Sequence, residues 1–289
     1  RSFKKRKRVV VVCPNDAHTE YVIIRSLREG FADFLLVADT PHLLNAEYIR
    51  HQYPDHVSVY EASSPDKAAQ EGVLLVRQGH ADVLMKGIIN TDNLLRAVLN
   101  KEYGLLPKGN VLSHVTVAQI PSYNKLLFFS DAAVIPRPGL AHFDAMIRYD
   151  VEICRRMGIP EPRVALIHCT EKVNEKFPHT LDYVTRKERA EAGEYGNMHL
   201  GGPTGVTTAG DSHSGAVKGI SSPVVGHADM LIFPNIESGN TFYKAISLFG
   251  DANMAGMLLG TTAPVVVPSR ADSGNSKFYS LALACVCSE

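Results

Sequence analysis

Short apolar runs alternate with longer amphipathic segments over the first hundred residues. Val9–Cys13 is apolar and β-branched, as expected of a strand buried on both faces, and Asp16–Glu29 then shows helical periodicity and stops before Gly30. The same alternation continues with strands at Phe34–Val37, Val57–Tyr60 and Val83–Met85 and helices at Leu43–Gln52 and Pro65–Arg77. This β-α-β-α order predicts an α/β fold with a parallel sheet covered by helices on both faces.

The pattern changes after the Gly104–Gly109 segment. Val111–Ile120 and Leu126–Ser130 are joined by a short polar stretch and predict an antiparallel hairpin. Later helices are predicted at Leu140–Met157, Pro178–Ala192 and Ile236–Phe249, and later strands at Val164–Ile167, Met230–Phe233 and Met254–Leu259. We therefore predict two α/β domains, a discontinuous first domain of residues 1–110 and 266–289 and a second of residues 111–265.

For two stretches of the predicted second domain, the expected structure depends on composition alone. The charged side chains of the helix at Pro178–Ala192, Arg186 among them, are expected to face solvent. Residues 201–215 are rich in Gly, Ser and Thr, which is compatible with either a flexible loop or a backbone N–H cradle for an anion.

A polar turn near the C-terminus concentrates reactive groups. The apolar run Val265–Val267 is followed by Ser269, Arg270, Asp272 and Ser273, and then by an apolar helical segment, Phe278–Cys285. A turn between a strand and a helix N-terminus directs backbone N–H groups and the positive end of the helix dipole at whatever lies in front of it. We take this turn as the centre of the candidate site.

Polar residues also follow the strand at Val83–Met85. Ligands of open α/β sheets bind beyond the carboxyl ends of the strands. Lys86 is then placed to bind an anionic substrate, Gly87 to allow close backbone approach, Thr91 to cap a helix at 92–100, and Arg96 to lie within that helix. A plain strand–turn–helix with a surface arginine remains the alternative.

The predicted second domain offers three further polar groups. Ser113 and His114 are neighbours in a strand and point to opposite faces, which argues against a Ser-His-Asp hydrolase. Asp131 ends a strand, either as a helix cap or as an active-site acid. The substrate-binding candidates after the strand at Met230–Phe233 are Asn235, Glu237, Gly239 and Asn240.

Composition excludes several classes of function. The chain has 289 residues, 45% hydrophobic, and a formal net charge of zero, so a nucleic-acid partner is not favoured. No apolar run reaches membrane-spanning length. The five cysteines are scattered without a CxxC pair, which favours a reducing, cytoplasmic location over a disulfide framework. The chain has no GxGxxG, GxxxxGK[ST] or HExxH motif, and no metal site is predicted.

Six ordered blocks carry a family resemblance. They read ADVLMKG (81–87), LLRAVLNKEYGL (94–105), LSHV (112–115), DAA (131–133), ADMLIFPNIESGN (228–240) and PVVVPSRADS (264–273). In order and spacing they resemble the phosphate acetyltransferase and phosphate butyryltransferase family, with the butyryl-type branch favoured. The resemblance extends from about Val9 to the end of the chain.

The resemblance implies both a fold and a reaction. The fold is two α/β domains with a cleft between them, like isocitrate and isopropylmalate dehydrogenases, usually in a homodimer. The reaction interconverts a short-chain acyl-CoA and phosphate with an acyl phosphate and CoA in a ternary complex, with CoA as substrate or product and no permanently bound cofactor or metal. The family's active-site Ser-Arg pair corresponds to Ser269 and Arg270.

Roles for the remaining residues follow from this chemistry. Ser269 or Ser113 would stabilise the oxyanion, Arg270 would bind phosphate ahead of Arg96 or Lys86, and Asp272 or Asp131 would act as base. The chain departs from the family pattern at two places. Near Ser276 the family has a carboxylate, and at Gly201 it has an acidic residue before the Gly-Pro pair, and this chain has neither. A diverged protein that binds CoA or acyl phosphate without turnover is one alternative, and a dehydrogenase on the same architecture is another.

Overall fold

The computed structural model describes residues 5–288, which divide into two compact units. The first unit contains the described residues up to Asn110 and from Ala255 onward, and the second is Val111–Met254. The second boundary therefore falls before residue 255 rather than after residue 265. Residues 255–265 belong with the first unit because they carry most of one strand and the start of another.

Strands and helices are each numbered in chain order. The strands are β1 Lys7–Val12, β2 Ala32–Asp39, β3 Val57–Ala62, β4 Val83–Lys86, β5 Ser113–Gln119, β6 Leu127–Ser130, β7 Arg163–Ile167, β8 His199–Thr204, β9 Met230–Ile232, β10 Asn253–Leu259 and β11 Val265–Val266. The helices are α1 Ala17–Glu29, α2 Leu43–Gln52, α3 Pro65–Arg77, α4 Thr91–Val98, α5 Leu140–Arg156, α6 Pro178–Glu191, α7 Val206–Gly210, α8 Ser212–Val217, α9 Ile236–Phe249 and α10 Gly274–Cys287. None of these helices combines the length and apolarity needed to cross a membrane.

The first unit is built on a largely parallel sheet. Its strand order is β3-β2-β1-β4-β11-β10, with parallel pairing from β3 to β11 and antiparallel pairing between β11 and β10. The four valines of β1 are fully buried, as the continuous apolar run predicts. Because β1, β4 and β11 are parallel neighbours, the residues that follow them lie at one edge of the sheet.

The second unit has a mixed sheet of order β5-β6-β9-β7-β8. The predicted hairpin is confirmed, since β5 and β6 pair antiparallel, and β6, β9, β7 and β8 are parallel to one another. Aromatic side chains fill part of its core, where Phe129 makes edge contacts with Phe233 and Phe242. The carboxyl ends of the four parallel strands share one edge of this sheet.

Residues 199–217 form regular structure that the sequence analysis does not predict. Of the two alternatives for residues 201–215, the flexible loop is wrong, because β8 pairs with β7 and the short helices α7 and α8 follow it. β8 has the sequence HLGGPT, in which few residues favour a strand. Its strand conformation is therefore determined by pairing with β7 rather than by local sequence preference. Gly202 lies in this strand at φ 130°, where a Cβ would stand 2.5 Å from the Leu166 carbonyl oxygen.

Arg186 also differs from expectation. Its side chain is 1% exposed and forms an ion pair of 2.5 Å with Asp144 and a hydrogen bond of 3.0 Å to the Leu140 carbonyl. The prediction that this side chain faces solvent is therefore wrong. A partner on α5 compensates the buried guanidinium, and the sequence of α6 does not reveal that partner.

Candidate functional site

A buried lysine lies at the carboxyl end of β4. Lys86 is 3% exposed, and its Nζ lies 3.2 Å from the Gly87 carbonyl oxygen and 3.5 Å from that of Pro268, which follows β11. Lys277 on α10 is 6% exposed, with its Nζ 3.9 Å from Asp16 Oδ2. We call Lys86, Arg270, Lys277, Asp16 and Asp272 the cationic cluster of the first unit.

The charges of this cluster act on Lys86. Burial lowers the pKa of Lys86, and the positive charges of Arg270 and Lys277 lower it further, while Asp16 and Asp272 oppose the shift. Three cationic side chains face two carboxylates, which leaves an excess of positive charge. Such a cluster attracts an anion, because bringing a negative charge to it relieves the repulsion among the three cations.

The turn after β11 is held by its own side chains. Asp272 Oδ2 accepts a hydrogen bond of 2.8 Å from the Ser269 N–H, and Ser269 Oγ accepts one of 3.3 Å from the Ala271 N–H. Ser273 is the N-cap of α10 and accepts from the Ser276 N–H at 3.1 Å. The strand–turn–helix prediction is confirmed. The Arg270 side chain is exposed, and within residues 5–288 it makes no hydrogen bond or ion pair.

The residues after Lys86 are placed differently from one another. Gly87 packs against the end of β1, where a Cβ would lie 2.1 Å from the Cys13 carbonyl oxygen. The prediction that Thr91 caps the next helix is wrong, because Asn90 is the N-cap and its side chain accepts from the Asp92 N–H at 2.9 Å. Thr91 and Arg96 are both exposed on α4.

A second cluster lies around Asp131, just after β6. Asp131 is 1% exposed, and its Oδ2 accepts from Ser113 Oγ at 2.9 Å and from the His114 backbone N–H at 3.1 Å. Its Oδ1 accepts from the backbone N–H groups of Ala133 and Val134, each at 2.8 Å. Asp131 therefore ends its strand as the centre of a tight turn rather than as a helix cap, since α5 begins only at Leu140.

A buried acid lies behind this turn. Asp150 on α5 is fully buried, and its Oδ2 is 2.5 Å from Ser130 Oγ. Its Oδ1 has no hydrogen-bond partner among the described residues. Burial raises the pKa of Asp150 well above its usual value, the Ser130 hydrogen bond lowers it in part, and the charge of Asp131 raises it.

The polar residues after β9 hold α9 against the Asp131 turn. Asn235 caps α9 and accepts from the Ser238 N–H at 2.9 Å, and Asn240 Nδ2 donates to the Ala132 carbonyl at 3.1 Å. Gly239 allows the helix to approach, because a Cβ there would lie 2.5 Å from the Asp131 carbonyl oxygen. Glu237 is exposed. Three of these four candidates thus make structural contacts within the unit.

Three members of these clusters are missed by the sequence analysis. Asp16 follows β1 at the same sheet edge as Lys86, so the strand-end argument that selects Lys86 also covers it. Asp150 occupies the position seven residues after Phe143, on the buried face of α5, and this spacing is a readable signal. Lys277 lies just before the apolar segment Phe278–Cys285, and no local pattern identifies it.

Residues 57–285 match the family model described as "Phosphate acetyl/butaryl transferase". This match covers well over half of the chain. The chain belongs to the phosphate acetyl/butyryl transferase family. It is therefore an acyltransferase, and the resemblance carried by the six sequence blocks is confirmed.

Individual relatives agree with membership in the phosphate acetyl/butyryl transferase family. The phosphate butyryltransferase of Clostridium acetobutylicum is 34% identical over 97% of this chain and 93% of its own length. The phosphate acetyltransferase of Thermotoga maritima is 33% identical over 98% of this chain and 95% of its own length. The crystal structure of a branched-chain phosphotransacylase from Enterococcus faecalis superposes with a TM-score of 0.86 at 29% identity, covering 98% of this chain and 99% of that one.

Metal ligation is not evident in this family member. Within residues 5–288, no group of three or more His, Cys, Asp or Glu side chains is arranged to hold a metal ion. The five cysteines are all free thiols, and only Cys169 is exposed.

Proposed function

We propose that this enzyme interconverts a short-chain acyl-CoA and phosphate with an acyl phosphate and CoA, with butyryl preferred over acetyl. The observation that carries the proposal is the cationic cluster at the carboxyl edge of β4 and β11, next to the Ser269–Arg270 pair. Sequence relatives named for phosphate butyryl and phosphate acetyl transfer support the reaction type. Family membership does not favour the dehydrogenase alternative.

Phosphate is assigned to Arg270. Its guanidinium is exposed and has no partner within the described residues, so it is available for a bidentate contact with phosphate oxygens. Lys86 and Lys277 add positive charge from buried positions, where it is weakly screened. Together these groups favour a dianion over a neutral ligand.

Oxyanion stabilisation is assigned to Ser269 rather than Ser113. Attack of a phosphate oxygen on the thioester carbonyl forms a tetrahedral centre with negative charge on its oxygen, and one well-placed donor is worth about 3–4 kcal/mol there. Ser269 Oγ accepts a hydrogen bond, which leaves its own proton free to donate. Ser113 already donates its proton to Asp131.

The base is assigned to Asp272 rather than Asp131. In the reverse direction the CoA thiol attacks the acyl phosphate, and a thiol of pKa about 8.5 is mostly protonated at neutral pH. Asp131 accepts four hydrogen bonds and would have to give one up to take a proton. Asp272 is half-buried and has one accepted hydrogen bond, from Ser269, to the described residues.

The proposal includes a ternary complex with no covalent acyl-enzyme. Acyl-CoA and phosphate, or acyl phosphate and CoA, would be bound together and react directly. From the family resemblance it also takes an isocitrate and isopropylmalate dehydrogenase-like arrangement of two α/β domains with an active-site cleft, a homodimer and a cytoplasmic location. The proposed contacts to the substrates are Lys86, Gly87, Thr91, Arg96, His114, Asn235, Glu237, Gly239, Asn240 and Ser273.

The first experiment measures the phosphate-dependent loss of thioester from butyryl-CoA and acetyl-CoA. We expect turnover with both and a higher kcat/KM for butyryl-CoA. Arg270→Ala should raise the phosphate KM at least tenfold or abolish turnover, and Arg270→Lys should recover only part of the loss, because a lysine keeps the charge without the bidentate geometry. No turnover with any acyl chain of two to five carbons, combined with tight CoA binding in calorimetry, would favour the non-catalytic alternative.

A second experiment separates the assigned roles. Asp272→Asn should slow the reaction of CoA with acyl phosphate more than Asp131→Ala slows it, and the loss should shrink as pH approaches the thiol pKa. Initial rates at several phosphate concentrations should give intersecting double-reciprocal lines, because both substrates bind before reaction. Parallel lines would indicate a covalent intermediate and overturn the ternary-complex step.

A further inference from the structure

An open cavity of about 690 Å³ lies in the second unit. It is bounded by the edge strand β8, by α6 and by residues 220–225. In that sheet β9 and β7 separate β8 from β6, which ends at the Asp131 turn. Three strand spacings put the cavity about 14 Å from β6. Its size is within the range of small-molecule sites.

The floor of the cavity is apolar and depends on a glycine. Leu200, Ile220 and Val224 contribute to its lining. A Cβ on Gly201 would lie 3.0 Å from Val224 Cβ and 3.5 Å from Ser222 Oγ. Any larger side chain at residue 201 would therefore press on the wall formed by residues 222–224 and reduce the space available.

Lysines give the cavity its charge. Three lysines and two glutamates line it, for a net charge of plus one. Glu171 is engaged within the protein, since its Oε1 accepts from Lys218 Nζ and from Thr208 Oγ1, each at 2.9 Å. The ammonium groups of Lys172 and Lys187 have no hydrogen-bond or ion-pair partner among the described residues.

We infer that this cavity is a second ligand site, which binds a short-chain aliphatic carboxylate. The carboxylate would contact the ammonium groups of Lys172 and Lys187, and the alkyl chain would lie on the apolar floor. A monovalent head group balances the net charge of plus one, whereas a phosphate dianion would exceed it. The cavity has no arginine in its lining, and arginine is the side chain best suited to bidentate phosphate contacts.

The site is tested by methyl-detected NMR of the full chain with hexanoate as the probe and saturating CoA present. Hexanoate should shift the methyl signals of Ile220 and Val224, with a millimolar Kd. Lys187→Glu should weaken binding at least tenfold because it replaces an attraction with a repulsion. Lys176→Glu, an exposed change outside the cavity, should leave the Kd unchanged.

A second variant and a competing anion complete the test. Gly201→Asp should also abolish binding, because it fills the floor and adds a negative charge, and Lys187→Glu keeps the test valid if Gly201→Asp does not fold. Inorganic phosphate at the same concentration should neither shift the Ile220 methyl signal nor displace hexanoate. Unshifted methyl signals in the parent protein, an unchanged Kd in Lys187→Glu, or displacement by phosphate would each overturn the inference.

Discussion

Replacing the buried acid behind the Asp131 turn should change how stability depends on pH. Asp150 is fully buried, and its pKa is raised by burial, with Asp131 adding to the shift and Ser130 opposing it. The native state therefore holds its proton at pH values where the unfolded chain, with an Asp pKa of about 3.9, has lost it. Because Asp150 binds more protons in the native state than in the unfolded chain, its contribution to the free energy of unfolding falls as pH rises above about 4.

The size of this effect follows from proton linkage. One extra bound proton changes the free energy of unfolding by about 1.4 kcal/mol per pH unit, so between pH 4.5 and 6.5 the parent protein should lose as much as about 2.7 kcal/mol relative to Asp150→Asn. Asn has the shape of a neutral Asp and does not titrate. The difference between the two proteins cancels the contributions of all other groups that titrate equally in both.

Urea unfolding at a series of pH values, followed by circular dichroism, measures this difference. Asp150→Ala is the matched variant, because it also removes the titrating group but leaves a cavity and takes away the partner of Ser130 Oγ. It should show the same pH dependence as Asp150→Asn at a lower stability throughout, by about 1–3 kcal/mol. If the stability of the parent protein relative to Asp150→Asn stays flat or rises over this pH range, the assignment of a protonated Asp150 is refuted.

Three further predictions follow from contacts described above. Gly239→Val should reduce activity and destabilise the protein by about 2 kcal/mol or more, because its Cβ would lie 2.5 Å from the Asp131 carbonyl oxygen, and unaltered urea midpoints would contradict this. Arg186→Met should cost about 1–3 kcal/mol in urea unfolding because Asp144 and the Leu140 carbonyl lose a hydrogen-bonding partner, whereas Glu188→Gln, exposed on the same helix, should change stability by less than about 0.5 kcal/mol. Native protein should give one fast thiol with Ellman's reagent, lost in Cys169→Ser, because the other cysteines are buried and burial raises the pKa of Cys13 to about 12; two or more fast thiols would refute it.

The strands and helices of the first unit could be predicted because their local patterns agree with their final burial. Val9–Cys13 reads as a buried strand since both faces are covered, and Gly30 ends α1 in the left-handed conformation that glycine favours. β8 could not be predicted in the same way. Its Gly-Gly-Pro sequence has little intrinsic strand preference, and its pairing with β7 is a tertiary contact.

The residues of the candidate site could likewise be predicted only in part. The strand-end argument finds Lys86 and Ser269 because both follow parallel strands of one sheet. Residue type and position do not distinguish a side chain that can bind substrate from one that holds a turn, as the structural contacts of Asn235 and Asn240 show. The cap predicted at Thr91 belongs to Asn90 because α4 begins one residue earlier than predicted. Arg186 and Lys277 are buried beside acidic partners that are distant in sequence. The local sequence around each residue therefore does not predict its burial.

The late return of the chain to the first unit has a consequence for its synthesis. Phe278 on α10 contacts Phe31, with ring centroids 5.7 Å apart, and lies 3.8 Å from the Arg25 guanidinium carbon. The second unit is one continuous segment, Val111–Met254, and is complete once Met254 has left the ribosome. At that moment the first unit still lacks most of β10 and all of β11 and α10, and it exposes the apolar surface that α10 covers. We therefore expect the second unit to fold first and the emerging first unit to be the part of the nascent chain that chaperones bind.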